Sequence, residues 1–200
     1  FDGVIVNSNH FKETAIIDSI KNFNLEKIIS KEAISYFNEN AGIGREKKLL
    51  KFFDKEIVDK ILLDYSQKCL NHFSHVKPTE GCIEFLEFLK EKFPETKLYI
   101  LSGGNLKEIL SFLKSNNMSN IFHKILYDNF SKKEHLINEK AEYQDLFFGD
   151  SKGDLNTAKN HPLSFILVKG YGSINSKPNK NYENFSKFII DDFTNIELTK

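Results

Sequence analysis

The sequence predicts an α/β protein: a doubly wound parallel-sheet core, Rossmann-like, with an inserted α-helical domain. Two observations carry this. From residue 81 onward short apolar runs of strand length alternate with amphipathic helical stretches, the pattern that builds a parallel sheet from βα units. Between residues 9 and 74 the apolar residues instead recur near a period of 3.6, with no strand-like run among them. With 200 residues the chain is long enough for one domain carrying a sizeable insertion, and it can bury a core without disulfide staples.

In chain order, residues 1–6 read as the end of a buried strand running into a loop. The stretch 10–22 is helical, its apolar face set by Phe11, Ala15, Ile16 and Ile20, with Phe23 just beyond. Residues 33–37, 46–53 and 57–73 continue in that manner, interrupted by the glycine-containing loop 40–44. Pro78-Thr79-Glu80-Gly81 punctuates the chain. Helices are then expected over 81–92, 106–114, 133–140 and 155–160, and strands over 97–101, 125–127, 145–148, 164–168 and 188–190. Residues 171–183, rich in Gly, Asn, Ser and Lys, read as a long loop. The boundaries that follow are a core of residues 1–8 and 80–200 and a helical insert of residues 9–79.

The charge balance narrows the partners. Lys plus Arg number 28 and Asp plus Glu number 28, so the formal net charge is zero, which speaks against nucleic acid or an anionic membrane surface. No apolar run reaches the length of a membrane span, and no signal-peptide pattern opens the chain. The only cysteines, Cys69 and Cys82, lack metal-ligand spacing and fit free thiols in a reducing cytoplasm. Phe1 is not an initiator and the single methionine is Met118, so an upstream segment is expected. Arg45 is the only arginine against 27 lysines, and a guanidinium offers a planar fork that an ammonium cannot.

Three junctions place small or polar residues directly after apolar strands: Phe1-Asp2-Gly3-Val4, Leu101-Ser102-Gly103-Gly104-Asn105 and Phe148-Gly149-Asp150-Ser151-Lys152-Gly153-Asp154. In a doubly wound sheet these loops fall along the edge where such folds keep their sites. Asp150 and Asp154, four apart at a strand end, together with Asp2 on a neighbouring loop, make a hard-oxygen set suited to Mg²⁺. The same two acids also suit the capping of a helix N-terminus. Ser102 followed by Gly103 offers a hydroxyl and exposed backbone N–H groups, a means of cradling phosphate. A lysine of Ser131-Lys132-Lys133-Glu134 supplies compensating positive charge, and Lys132 and Lys133 both stand as candidates. These parts describe phosphoryl chemistry.

Taken in order, the motifs resemble those of the haloacid dehalogenase superfamily. Phe1-Asp2-Gly3-Val4-Ile5-Val6-Asn7-Ser8 resembles the first family motif, Leu101 to Gly104 the second, Lys132 the third and Gly149 to Asp154 the fourth. The helical insert is similar to the α-helical cap of phosphoglycolate-phosphatase-like members. The resemblance implies a Mg²⁺-dependent phosphatase that acts on a small phosphorylated metabolite through an aspartyl-phosphate, as a monomer or small homo-oligomer. It implies catalytic roles for Asp2, Ser102 and Lys132, phosphate binding by Gly3, Ser102, Gly103 and Lys132, and metal binding by Asp2 (through its carbonyl), Asp150 and Asp154. The spacing from Lys132 to Leu136 favours Lys132 over Lys133 as the third motif. The family's first motif is Asp-x-Asp-Gly, so its nucleophile would directly precede Phe1, and Asp2 would be the family's general acid and base. Arg45, beside the loop 41–44, resembles a cap residue that selects the substrate through a carboxylate or second phosphate. His10 is expected to be a surface or hinge residue in preference to a substrate contact, and His72 and His75 to have no chemical role. Alternatives on the same fold are a phosphomutase and a non-catalytic phosphate-binding homologue.

Overall fold

The computed structural model describes residues 1–23, 27–39, 44–161, 163–172, 185–194 and 196, the side chains of residues 27, 28, 38 and 39 excepted. Of the loops expected from the sequence, residues 40–43 and 173–183 lie outside the described set. The chain divides into two compact units, one formed by Phe1–Asn9 with Phe73–Lys200, the other by His10–His72.

The larger unit is α/β. Its helices are α5 (Cys82–Lys92), α6 (Leu106–Ser115), α7 (Lys132–Asn138) and α8 (Lys152–Lys159), and its strands are β1 (Tyr99–Leu101), β2 (Lys124–Leu126), β3 (Leu146–Gly149), β4 (Ser164–Val168) and β5 (Phe188–Ile190). All described strand pairs are parallel: β1 with β2, β3 with β4, and β4 with β5. Each parallel step requires a crossover, which α6 supplies between β1 and β2 and α8 between β3 and β4. β4 is buried at every residue, so after Ser164 it reads as an apolar run, Phe165 to Val168, with no alternation.

Phenylalanine does much of the packing. Leu155 and Ala158 of α8 join Phe165 and Leu167 of β4 in one buried cluster, against which Phe147 of β3 packs. Phe85, Phe148 and Phe193 form a triangle with ring centroids 5.1 to 5.8 Å apart. A second triangle joins Phe1, Phe73 and Phe112 at 5.4 to 6.4 Å. Stacked, tilted and edge-on rings at these separations contribute beyond the area they bury. The second triangle fixes Phe1 against Phe73 and the Phe112 face of α6.

The first loop is held tightly as well. Gly3 has φ 70°, a left-handed conformation that glycine adopts without strain, and its N–H donates to the Val6 carbonyl at 2.8 Å. Thr79 closes the loop from the other side, its hydroxyl donating to the Val4 carbonyl at 2.6 Å and its N–H to Ile5 at 2.9 Å.

The smaller unit is helical among its described residues: α1 (Asn9–Lys21, whose first residue belongs to the larger unit), α2 (Lys27–Glu39), α3 (Arg45–Leu49) and α4 (Lys55–Phe73, whose last residue likewise does). The expected helix over 46–53 is shorter at its C-terminal end, because the chain passes into a turn after Leu49, where the Phe52 N–H donates to the Leu49 carbonyl three residues back at 2.9 Å. Lys48 is buried; its ammonium donates to the Phe37 carbonyl at 3.0 Å and stands 3.5 Å over the Phe37 ring, tying α3 to the last turn of α2.

Candidate active site

The chemistry gathers where the first loop, the loop after β3 and the start of α7 converge. Asp150 follows Gly149, the last residue of β3, and Ser151 then caps α8. A full capping box forms there: Ser151 Oγ accepts from the Asp154 N–H at 3.2 Å, and Asp154 Oδ2 accepts from the Ser151 N–H at 3.2 Å. Asp154 Oδ1 takes a charge-assisted hydrogen bond from Lys132 Nζ. Burial by itself would raise the Asp154 pKa, but the charge and hydrogen bond of Lys132, with Ser151, outweigh it and hold the carboxyl below the ordinary aspartate range.

Lys132 reaches that position because α7 starts one residue earlier than its apolar pattern suggests. Ser131 is its N-cap, in a second capping box with Glu134, which makes Lys132 the first helical residue. Lys133 points to solvent. One turn on, buried His135 bonds the Tyr127 carbonyl just past β2 at 2.8 Å, anchoring the helix to the sheet.

Asp150 is held differently. It is 6% exposed, and its Oδ2 accepts from the neutral amide of Asn9 at 2.9 Å; the same Asn9 nitrogen donates to the Tyr171 carbonyl at 3.0 Å. A side chain at Gly3 would collide with the Asp150 carboxylate and the Asn9 amide, so the first loop presses its backbone against this acid. Asp2 Oδ1 accepts from the hydroxyl of buried Ser8.

The α-amino nitrogen of Phe1 lies among these groups. The charged side chains that act on it electrostatically are Asp2, Lys132, Asp154 and Asp150. Asp2, Lys132, Asp150 and Asp154 therefore share one neighbourhood around the start of the chain. Ser102 and Gly103 occupy the loop after β1. Buried Ser102 donates its N–H to the Leu126 carbonyl at 2.9 Å, and its Oγ accepts from the Gly104 N–H at 3.0 Å, while Gly103 borders open space. Arg45 belongs to the other unit, where its guanidinium stacks 4.8 Å over the Tyr65 ring.

Among the described residues no three His, Cys, Asp or Glu side chains are grouped as a metal cage. Asp154 bonds Lys132 and the capping box, while Asp2 accepts from the Ser8 hydroxyl and Asp150 from the Asn9 amide, both neutral donors. The donor set still suits Mg²⁺, which binds through one or two carboxylates and keeps several waters. Asn9 and Ser8 were not legible as site residues, since the Asn9 contact to Asp150 spans 141 positions. The Ser-x-x-Asp spacing of a capping box was a readable local signal for Ser151.

A family model described as haloacid dehalogenase-like hydrolase matches residues 1–168. A comparison with curated proteins finds no match. Among solved structures, the chain is similar to a haloacid dehalogenase-like family hydrolase from Streptococcus pneumoniae, at 16% identity and TM-score 0.69 over 96% of this chain and 91% of that one. It is similar to a predicted phosphoglycolate phosphatase from Haemophilus somnus, at 18% identity and TM-score 0.74 over 96% and 92%. It is also similar to a CbbY variant from Rhodobacter sphaeroides in complex with xylulose 1,5-bisphosphate, at 11% identity and TM-score 0.74 over 98% and 92%.

Proposed function

Since this chain belongs to the haloacid dehalogenase-like hydrolases, we propose that it is a Mg²⁺-dependent phosphatase of a small phosphorylated metabolite, with a nucleophilic aspartate directly before Phe1. The observation that carries the reading is the gathering of Asp2, Lys132, Asp150 and Asp154 around the Phe1 amino nitrogen. A residue bonded to that nitrogen enters the same cluster.

In this reading the aspartate carboxylate attacks phosphorus and displaces the substrate's ester oxygen, which takes a proton from Asp2. Asp2, now a carboxylate, removes a proton from water, and that water attacks the aspartyl-phosphate to release phosphate and regenerate the nucleophile. The Ser8 hydroxyl on Asp2 Oδ1 orients the acid between the two steps. Lys132 stabilises the charge spread over the transferring oxygens, and its bond to Asp154 keeps it extended toward them. Ser102 and the N–H groups beside it, with Gly3 on the first loop, bind the phosphoryl group. Mg²⁺ would be held by Asp150 and the Asp2 carbonyl, and would neutralise charge on the phosphoryl group. Asp154, the third acid of the expected metal set, also holds Lys132 through its Oδ1. The helical unit serves as the cap, and Arg45 there recognises a second anionic group of the substrate.

The test is hydrolysis of p-nitrophenyl phosphate with Mg²⁺ by two proteins, the present chain and one with aspartate added before Phe1. The extended protein should be active and the present chain slower by several powers of ten. Equal rates would defeat the aspartyl-phosphate reading.

A further inference from the structure

We propose that Asn9 is a positioning residue for Asp150, fixing the carboxylate on which the proposed Mg²⁺ site depends; this rests on the metal reading above. Both acceptors of the Asn9 side-chain nitrogen are oxygens, Asp150 Oδ2 at 2.9 Å and the Tyr171 carbonyl at 3.0 Å. That fixes which way the amide faces, because the opposite orientation would set its oxygen against two other oxygens. The acid is hemmed in on further sides. A methyl group at Gly3 would lie 2.5 Å from the Asn9 amide nitrogen, and one at Gly172 would lie 3.1 Å from the Asp150 β-carbon and from its carbonyl oxygen. The backbone of the first loop and of the turn after β4 thus close around Asp150, and Asn9 bonds to both the acid and that turn.

The chemistry of the clamp matters as much as its geometry. Asp154 faces an ammonium, which offsets its charge, whereas Asn9 offers Asp150 a neutral donor. A neutral donor orients a carboxylate and leaves its negative charge available to a cation. Partners that orient a ligand in this way typically carry ten- to a hundredfold in metal affinity. Asn9 is also the first residue of α1, so the same bond fixes the point at which the chain leaves the α/β unit.

Calorimetric titration of Mg²⁺ into the wild-type chain, Asn9→Leu, Asn9→Asp and Asp150→Asn, without substrate, tests this. Circular dichroism melts without Mg²⁺ verify that each variant is folded. Leu and Asp both match Asn in shape; Leu removes the donor, and Asp replaces it with a second negative charge. Positioning predicts that both weaken Mg²⁺ binding about ten- to a hundredfold. A general electrostatic role predicts the opposite sign for Asn9→Asp, which would then bind more tightly. Unchanged binding in Asn9→Leu, or tighter binding in Asn9→Asp, with binding lost in Asp150→Asn, would overturn the role of Asn9 and leave the metal reading standing. No binding by the wild-type chain, or full binding by Asp150→Asn, would remove the metal reading and the proposal together. Should Asn9→Leu fail to fold, Asn9→Asp decides alone.

Discussion

The neighbours Lys132 and Lys133 show how one helical position separates chemistry from solvent. The N-cap Ser131 makes Lys132 the first residue of α7, where it meets Asp154, and the next residue turns away from the site. In the aspartate-extended protein, Lys132→Ala should lower kcat/KM at least ten- to a hundredfold, the range for losing one charge-assisted contact, while Lys133→Ala stays within about twofold. Steady-state kinetics on p-nitrophenyl phosphate check this, and equal losses would show that the third-motif lysine is misassigned. The pair also predicts a pH dependence. Because Asp154 is held below its ordinary pKa of 3.8, it binds fewer protons folded than unfolded near that value. Its contribution to stability is complete above that range and is lost as the pH falls through the lower folded value. Acid unfolding of Asp154→Asn should lack that component relative to wild type. The candidates Asp2, Gly103 and Lys132 could be picked out along the chain because each belongs to a short local pattern. The amide on Asp150 could not, since nothing near Asn9 in sequence marks a partner 141 positions away.

Helices and strands were legible to the extent that their ends are set locally. The strands 164–168 and 188–190 have the extents their apolar runs predict, whereas α7 and α8 begin earlier than their apolar periodicity because capping boxes recruit polar residues. Removing one such cap should be measurable: Ser151→Ala should cost about 1 kcal/mol, near the middle of the range for N-cap serines. Urea denaturation would show it as a lower midpoint at unchanged slope. A loss well under that would mean that Asp154 and Lys132 hold the start of α8 without the cap. At α3 the limiting feature is a buried amine. Burial, helped by the nearby positive charge of Arg45, pushes the Lys48 pKa from 10.5 down to about 8. Between those values the unfolded chain binds more protons than the folded one, so stability should rise as pH increases from 8 toward 10.5. Lys48→Met keeps the aliphatic stem without the charge, and its melting temperature should lack this rise, a difference on the order of a few °C. Parallel pH profiles of the two proteins would contradict the assignment.

For the whole molecule, the alternation of strand-like and helical stretches was enough to specify the fold class, because consecutive strands joined by helices pair in parallel, β1 with β2 and β3 with β4. What order could not convey is packing. The two phenylalanine triangles join residues as far apart as Phe1 and Phe112, or Phe85 and Phe193, and no local period announces such contacts. Substrate choice belongs to this largest scale, because its proposed determinant lies in a different compact unit from the acids and the lysine. Arg45 is half-buried, with its guanidinium carbon 4.8 Å from the centre of the Tyr65 ring. A guanidinium fork suits a carboxylate or a second phosphate, and lysine would keep the charge while losing the fork. In the aspartate-extended protein, Arg45→Lys should therefore lower kcat/KM about ten- to a hundredfold on the preferred substrate from a panel of phosphorylated acids and bisphosphates. Hydrolysis of p-nitrophenyl phosphate, which lacks a second anionic group, should stay within about twofold. A loss of equal size on every substrate would assign Arg45 to the folding of the helical unit through Tyr65, and a melt of that variant would then fall as well. No loss on any substrate would take Arg45 out of recognition, and the selection of a doubly anionic metabolite would lose its support.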